Sequence, residues 1–215
     1  MGRFHIDYSF NFYWEMNKLF LLVTIMMVST CAFAQHASGS LTLQPRIGFS
    51  AADFNNTYDT KARVGLVVGP EFEYTLSDRF SIAAGLNYSQ QGTELKDYDV
   101  TAKFDYLTIP VVANVYLFKG FAIKAGIQPG INLSAKAEIN GKESDINEDY
   151  MNSFEFAIPV GLSYEFRNFV LDARYVFGVT KIFNEDKINK DGFEFDLGSK
   201  NLGFQLTLGY KFTLI

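Results

Sequence analysis

The feature that most constrains this fold is a strict alternation of apolar and polar residues. In the segment GFQLTLGYKF (203–212), the large apolar side chains all fall on one face of an extended strand: Phe204, Leu206, Leu208, Tyr210 and Phe212. Glycine, glutamine, threonine and lysine occupy the other face. Because the apolar face is continuous, it must be buried, either in a protein core or in lipid.

Eight segments with this alternation follow one another without a linker or a second domain: 41–52, 63–76, 80–92, 102–117, 121–138, 152–166, 169–183 and 200–213. Tight turns, such as Ser77-Asp78-Arg79, alternate with longer polar connections. Short turns at one end and long loops at the other are typical of transmembrane β-barrels. Pro110 and Pro159 lie inside predicted strands, where a residue without a backbone donor marks a bulge or an unpaired position.

Alternation alone also suits a soluble, lipocalin-like barrel, so the glycines decide between the two. The strand glycines share the polar face: Gly48, Gly65, Gly69, Gly85, Gly126, Gly130, Gly161, Gly178, Gly203 and Gly209. A solvent-facing surface has no steric reason to collect glycine, whereas a narrow lumen must offset bulky side chains with small ones. We therefore predict an all-β, eight-stranded antiparallel up-and-down transmembrane barrel with its polar face inward and its apolar face in lipid.

Residues 16–34 have the organisation of a cleavable signal peptide. Lys18 supplies the charged start, an apolar run covers residues 19–28, and Ala32-Phe33-Ala34 forms a small-residue cleavage site before Gln35. The rival interpretation, a membrane-spanning helix, requires about 20 apolar residues, and this run is shorter. The sequence thus predicts export to the bacterial outer membrane.

Two features bear on the limits of this signal. Residues 1–15 precede a complete signal, which indicates a start assigned too far upstream, with Met16 as the true start. Cys31 is the sole cysteine, and a lipoprotein would need it as the mature N-terminus, but the residues before it fit a lipidation box poorly. The expected organisation is an upstream extension (1–15), a signal peptide (16–34) and the barrel domain (35–215).

The residue types argue against several kinds of function. The formal net charge is −5 without a basic cluster, which gives no reason to expect nucleic acid as a partner. The two histidines, His5 and His36, lie outside every predicted strand, so neither a histidine-dependent catalytic site nor a histidine metal site can form in the barrel. We therefore predict no enzyme activity and no cofactor.

The loop NEDKINKDGFEFD (184–196) looks superficially like a calcium loop, but Lys187 and Gly198 occupy positions where acidic ligands belong. We predict no metal site there. Loose binding of a divalent cation by its acidic residues stays open as an alternative: Asp186, Asp191, Glu194 and Asp196.

Four segments carry a resemblance to a known family: GLNYSQQGTEL (85–95), YLTIPVVANVYLF (106–118), AGIQPGINLS (125–134) and LGYKF (208–212). Through them the mature chain resembles the PorT-like outer-membrane β-barrel proteins of Bacteroidetes-type bacteria. One departure is that Thr213, Leu214 and Ile215 follow Phe212, whereas such chains often end on the aromatic residue. The resemblance implies an accessory role in a secretion or gliding apparatus.

Six charged residues fall on the glycine-rich face at similar depth from the periplasmic ends of their strands: Arg46, Glu71, Glu73, Lys124, Asp172 and Arg174. Charges in so confined a space are tolerated when they are paired and hydrogen-bonded. Because three are basic and three acidic, we predict a neutral network that fills the lumen.

Two classes of function then compete. The first is a non-enzymatic barrel that supports the envelope or presents its long loops to a protein partner, and the alternative is a small pore or transporter for a solute. Strand number favours the first, since wide aqueous channels need about 16 strands. The expected partners are outer-membrane lipid and lipopolysaccharide, the barrel assembly machinery, and a protein bound through the long loops.

Overall fold

The computed structural model describes residues 37–54, 60–95, 100–139, 142–145, 152–181 and 200–215. The predicted upstream extension and signal peptide, together with the loop 184–196, lie outside the described residues. All of the described residues belong to one compact unit. Among them, no helix has the length and apolarity that a membrane span would need.

The described chain is built from antiparallel strands, whose extended form follows from the period-two alternation. Their bounds are β1 Leu41–Phe54, β2 Thr60–Ser77, β3 Phe80–Gly85, β4 Asn87–Leu95, β5 Val100–Thr108, β6 Val111–Phe118, β7 Phe121–Ile139, β8 Lys142–Asp145, β9 Phe154–Phe166, β10 Phe169–Lys181, β11 Lys200–Tyr210 and β12 Phe212–Thr213.

These strands close into a ring of eight, which confirms the predicted fold. β1 pairs with β2 on one side and with β11 and β12 on the other. The third barrel strand is β3 continued by β4, the fourth is β5 continued by β6, and β12 continues β11 as the eighth. Closure leaves the ring without a free edge, as hydrogen bonding in lipid requires.

Two barrel strands that the alternation predicts as continuous are interrupted in the structure. The third breaks at Leu86 and the fourth at Ile109 and Pro110. Proline has no backbone donor, and here the carbonyl of Pro110 accepts from Gly85 N at 2.9 Å. Pro159 stays within β9 and is paired with Val176 of β10, but the pairing with β7 skips it, passing from Val160 to Ala157.

The predicted orientation of the faces is confirmed by burial. Leu206 and Leu208 on β11 are 40% and 51% exposed on the outer surface, whereas Thr207 between them is 2% exposed. The same contrast recurs around the ring, with large apolar side chains outside and mainly polar or small ones inside. The core of this barrel is therefore its polar lumen.

One element lies where only a loop is expected. β8 occupies part of the polar connection after β7 and pairs with its end, Ile139 opposite Lys142 and Lys136 opposite Asp145. The four residues KESD are all polar, so their sequence shows no alternation that would predict a strand. Its conformation comes instead from the unusual length of β7, 19 residues, which offers an edge beyond the barrel wall.

Candidate functional site

The centre of the lumen holds an ionic cluster contributed by four strands. Arg46 comes from β1, Glu71 from β2, Lys124 from β7, and Asp172 and Arg174 from β10, and we call these five residues the central cluster. Each is at most 3% exposed. They meet because alternation turns all five toward the lumen and the ring brings distant parts of the chain together.

Arg174 joins the two acidic residues of the central cluster. Its Nη2 donates to Glu71 Oε2 at 2.7 Å and to Asp172 Oδ2 at 2.9 Å, while its Nε donates to Asp172 Oδ1 at 2.8 Å. The flat guanidinium suits such multiple contacts with carboxylates. The pairing therefore ties β10 to β2 across the barrel.

The other two cations complete the central cluster. Lys124 Nζ lies 2.6 Å from Asp172 Oδ2 and 3.5 Å from Glu71 Oε1. Arg46 Nη1 lies 3.0 Å from Glu71 Oε2, and its Nε donates to Asn87 Oδ1 at 3.2 Å. Every charge in the cluster thus has a partner of opposite sign.

Glu73 belongs to a second ionic group nearer the short turns, and we call Glu73, Glu165 and Lys211 the lower cluster. Lys211 Nζ lies 2.8 Å from Glu73 Oε2 and 2.8 Å from Glu165 Oε2. Tyr116 also donates its hydroxyl to Glu73, and Ser81 Oγ donates to the same carboxylate at 2.5 Å. The lower cluster is therefore a separate layer below the central one.

The six residues singled out from the sequence divide between these layers. Five of them form the central cluster, while Glu73 pairs with Lys211 instead. Lys211 and Glu165 were missed as site residues, although the alternation in residues 203–212 already places Lys211 on the polar face. Together the two clusters hold four basic and four acidic side chains, so their formal charges cancel: Arg46, Lys124, Arg174 and Lys211 against Glu71, Glu73, Glu165 and Asp172.

The side chains of the two clusters occupy the lumen at the levels where they lie. Their carboxylates contact cations and hydrogen-bond donors. The surrounding strands supply small residues, and at Gly69 an added Cβ would collide with the main-chain oxygen of Leu86. This arrangement can fix the strands relative to one another and exclude water from the lumen.

Comparison with known proteins places this barrel in a family. Residues 33–184 match the family described as outer membrane protein beta-barrel domain. The chain belongs to this family. It is accordingly a protein of the bacterial outer membrane, and its apolar outer face contacts lipid. No curated protein sequence matches the chain.

Several solved outer-membrane proteins are similar in structure. The attachment invasion locus protein Ail of Yersinia pestis has 16% identity and a TM-score of 0.51, with 81% of this chain and 99% of Ail covered. Neisserial surface protein A has 14% identity and a TM-score of 0.47, covering 80% and 95%. OprG of Pseudomonas aeruginosa has 13% identity and a TM-score of 0.41, covering 82% and 97%. At this identity, the likeness to Ail shows the fold alone.

The outer-membrane barrel carries a further set of ion pairs on its long-loop side. Lys103 on β5 pairs with Glu138 on β7, and its Nζ lies 2.7 Å from Glu143 Oε1 on β8. Lys136 Nζ lies 3.4 Å from Glu143 Oε2. The hydrogen bond from Lys103 holds the pKa of the Glu143 carboxyl below its usual value of 4.5. These ion pairs link β5, β7 and β8 to one another.

Proposed function

We propose that this protein is a non-enzymatic outer-membrane barrel whose side-chain-filled lumen blocks passage and whose long loops engage a partner. The observation that carries the proposal is the central cluster, in which Arg174 bridges Glu71 and Asp172 across the barrel axis. An eight-stranded barrel has room inside for little more than its own side chains. With that room taken up by paired charges, the barrel is a rigid support.

The proposed biological role depends on two parts of the barrel, its lipid-facing surface and its long loops. A plugged barrel contributes to the envelope through its lipid-facing surface and through the loops that it holds at the cell surface. The sequence resemblance to PorT-like proteins supports service as an accessory of a secretion or gliding apparatus. The partners in this proposal are outer-membrane lipid and lipopolysaccharide, the barrel assembly machinery during insertion, and a protein bound by the loops.

Planar-bilayer recording tests the plug directly. The purified, folded protein should show no steady single-channel conductance, because the paired side chains of the central cluster occupy the lumen. A folded porin reconstituted in the same lipid serves as the positive control. Steady open conductance in the unmodified protein would refute the plug and favour the pore or transporter.

A further inference from the structure

Two arginines of the central cluster have buried hydrogen-bond donors without acceptors. The side chains of Arg46 and Arg174 are each 1% exposed. Among the described residues, no group accepts a hydrogen bond from Nη1 or Nη2 of Arg46, or from Nη1 of Arg174. Arg46 Nη1 is close to Glu71 Oε2, at 3.0 Å, but is not aligned for a hydrogen bond. Buried donors of a charged group are costly to leave unsatisfied, so they require a further acceptor.

These donors lie in one sector of the lumen. Both guanidiniums contact the same oxygen, Glu71 Oε2, through Arg46 Nη1 and through Arg174 Nη2 at 2.7 Å. β11 lies between the strands of the two arginines, and on it the buried Thr207 Oγ1 is also without a partner. The residue of β11 opposite Arg46 is Gly209, which has no side chain to accept a hydrogen bond. The surrounding wall therefore offers donors and few acceptors.

The charge of the central cluster is unbalanced in the same sense. The cluster holds three basic and two acidic side chains, and the charged groups that act on Arg46 all belong to it. In the lower cluster, Glu73 and Lys211 cancel each other. The remaining carboxylate, Glu165, has a side chain that is 15% exposed, so water screens its charge. The central cluster thus keeps one excess positive charge in a buried position.

We propose that Arg46 and Arg174 form a binding site for one small monovalent anion, chloride, at the centre of the lumen. The ion accepts from the free guanidinium nitrogens and from Thr207 Oγ1, and its charge balances the cluster. A halide suits this wall because it accepts from several donors at once and has no hydrogen of its own to donate. The bound ion is a fixed part of the lumen, so the site does not depend on whether the barrel conducts.

Anomalous diffraction from the unmodified protein tests the site directly. Because a buried ion exchanges slowly, the protein is folded from urea into detergent with bromide as the sole halide and is then crystallised. An anomalous bromine peak should lie in contact with the terminal guanidinium nitrogens of Arg46 and Arg174. Ordered density without anomalous signal at this position, which would be water, overturns the proposal, and so does the lack of any density there.

Thermal unfolding in detergent gives a second test. Protein folded in sodium chloride should have a Tm about 2 to 4 °C higher than protein folded in sodium gluconate at equal ionic strength, because a ligand of the folded state stabilises it and gluconate is too large to replace a single buried ion. Arg46→Met should lose this difference. Arg79→Met, the same exchange at an exposed turn residue, should keep it. An unmodified protein indifferent to the anion, or equal differences in both variants, contradicts the site and leaves the conductance test of the plug unaffected.

Discussion

Arg174 shows how much of this barrel depends on single buried charges. Its guanidinium reaches Glu71, 103 residues earlier in the sequence, and Asp172 on its own strand. A lysine at this position has no planar fork, so it could not hold both oxygens of Asp172 through two nitrogens while it also contacts Glu71. A buried ion pair gives little net stability, but the loss of one partner leaves the other charge buried and uncompensated.

Arg174→Met should therefore destabilise the folded barrel by about 3 to 5 kcal/mol, since it leaves Glu71 and Asp172 with fewer cations. Arg79→Met, the same exchange at an exposed turn residue, should change the free energy of unfolding by about 0.5 kcal/mol or less. Urea unfolding of both variants in lipid vesicles measures the difference. Similar values for the two would mean that the central cluster contributes no more than a surface charge.

At the same scale, the sequence predicts the face of a charged residue better than its depth. Alternation assigns Glu71 and Glu73 alike to the lumen, and counting from the strand ends places them at similar depth. The structure places them in different clusters, because they lie two residues apart along β2 and because the tilt and stagger of the other strands, which alternation does not encode, determine the partner that each one meets. Lys211 became the partner of Glu73 for the same reason.

Among the elements, the close approach of neighbouring strands explains why glycines share the inner face. At Gly69 on β2, a Cβ would meet the Leu86 main-chain oxygen and would lie 2.8 Å from Asn87 Cα. At Gly203 on β11, the nearest atoms would be 3.8 Å away, an ordinary contact. Glycine is thus sterically required at Gly69, whereas the backbone at Gly203 has room for a larger side chain.

Gly69→Ala should cost about 1 to 3 kcal/mol, because the added methyl group forces β2 away from the third barrel strand. Gly203→Ala should be neutral or stabilising by up to about 1 kcal/mol, through the lower entropy of the unfolded chain. The free energies of unfolding of the two alanine variants provide the comparison. If Gly203→Ala proved the more harmful, the strand separations described above would be wrong.

The ion pairs of β8 should make this element sensitive to pH. The lowered pKa of Glu143 means that its pairing with Lys103 and Lys136 stabilises the folded form above the usual pKa of 4.5, and that this contribution is lost as the pH falls through the lowered value. Amide-exchange protection of β8, corrected for intrinsic exchange rates, should therefore decrease on acidification. Glu143→Gln should already show weak protection of β8 at neutral pH and little further loss on acidification. If protection in this variant instead fell with pH as it does in the unmodified protein, Glu143 would not be the cause.

The strands could be predicted from the sequence, but some of their interruptions and pairings could not. Eight barrel strands follow from alternation and turn spacing, and the interruption at Pro110 follows from the chemistry of proline. The break at Leu86 could not be predicted in this way, because it depends on the neighbouring strand. There, the main-chain oxygen of Pro70 accepts from Leu86 N at 3.0 Å. β8 is likewise a product of pairing with β7 and not of its own residues.

For the whole molecule, lipid outside and paired charges inside impose opposite demands on one sheet. The outer face needs mainly apolar bulk, and its residues contact lipid and neighbouring apolar or aromatic side chains. The inner face must satisfy each buried charge within a lumen too narrow for much water. The specific side-chain pairings of this barrel therefore lie in the lumen, whereas the apolar outer face determines its position in the membrane.

If the central cluster closes the lumen by filling it, its volume should matter more than its charge. Replacing all five residues by serine removes the charges and most of the side-chain volume, so a polar, water-filled path should open and give measurable conductance in planar bilayers. The control exchanges Arg46, Lys124 and Arg174 for Met and Glu71 and Asp172 for Leu, which removes the same charges but retains bulk. This variant should remain closed, since apolar residues of similar volume often replace buried ion pairs without loss of stability. A folded serine variant without conductance would show that the blockage lies elsewhere, and conductance in both variants would assign it to charge pairing rather than to filling.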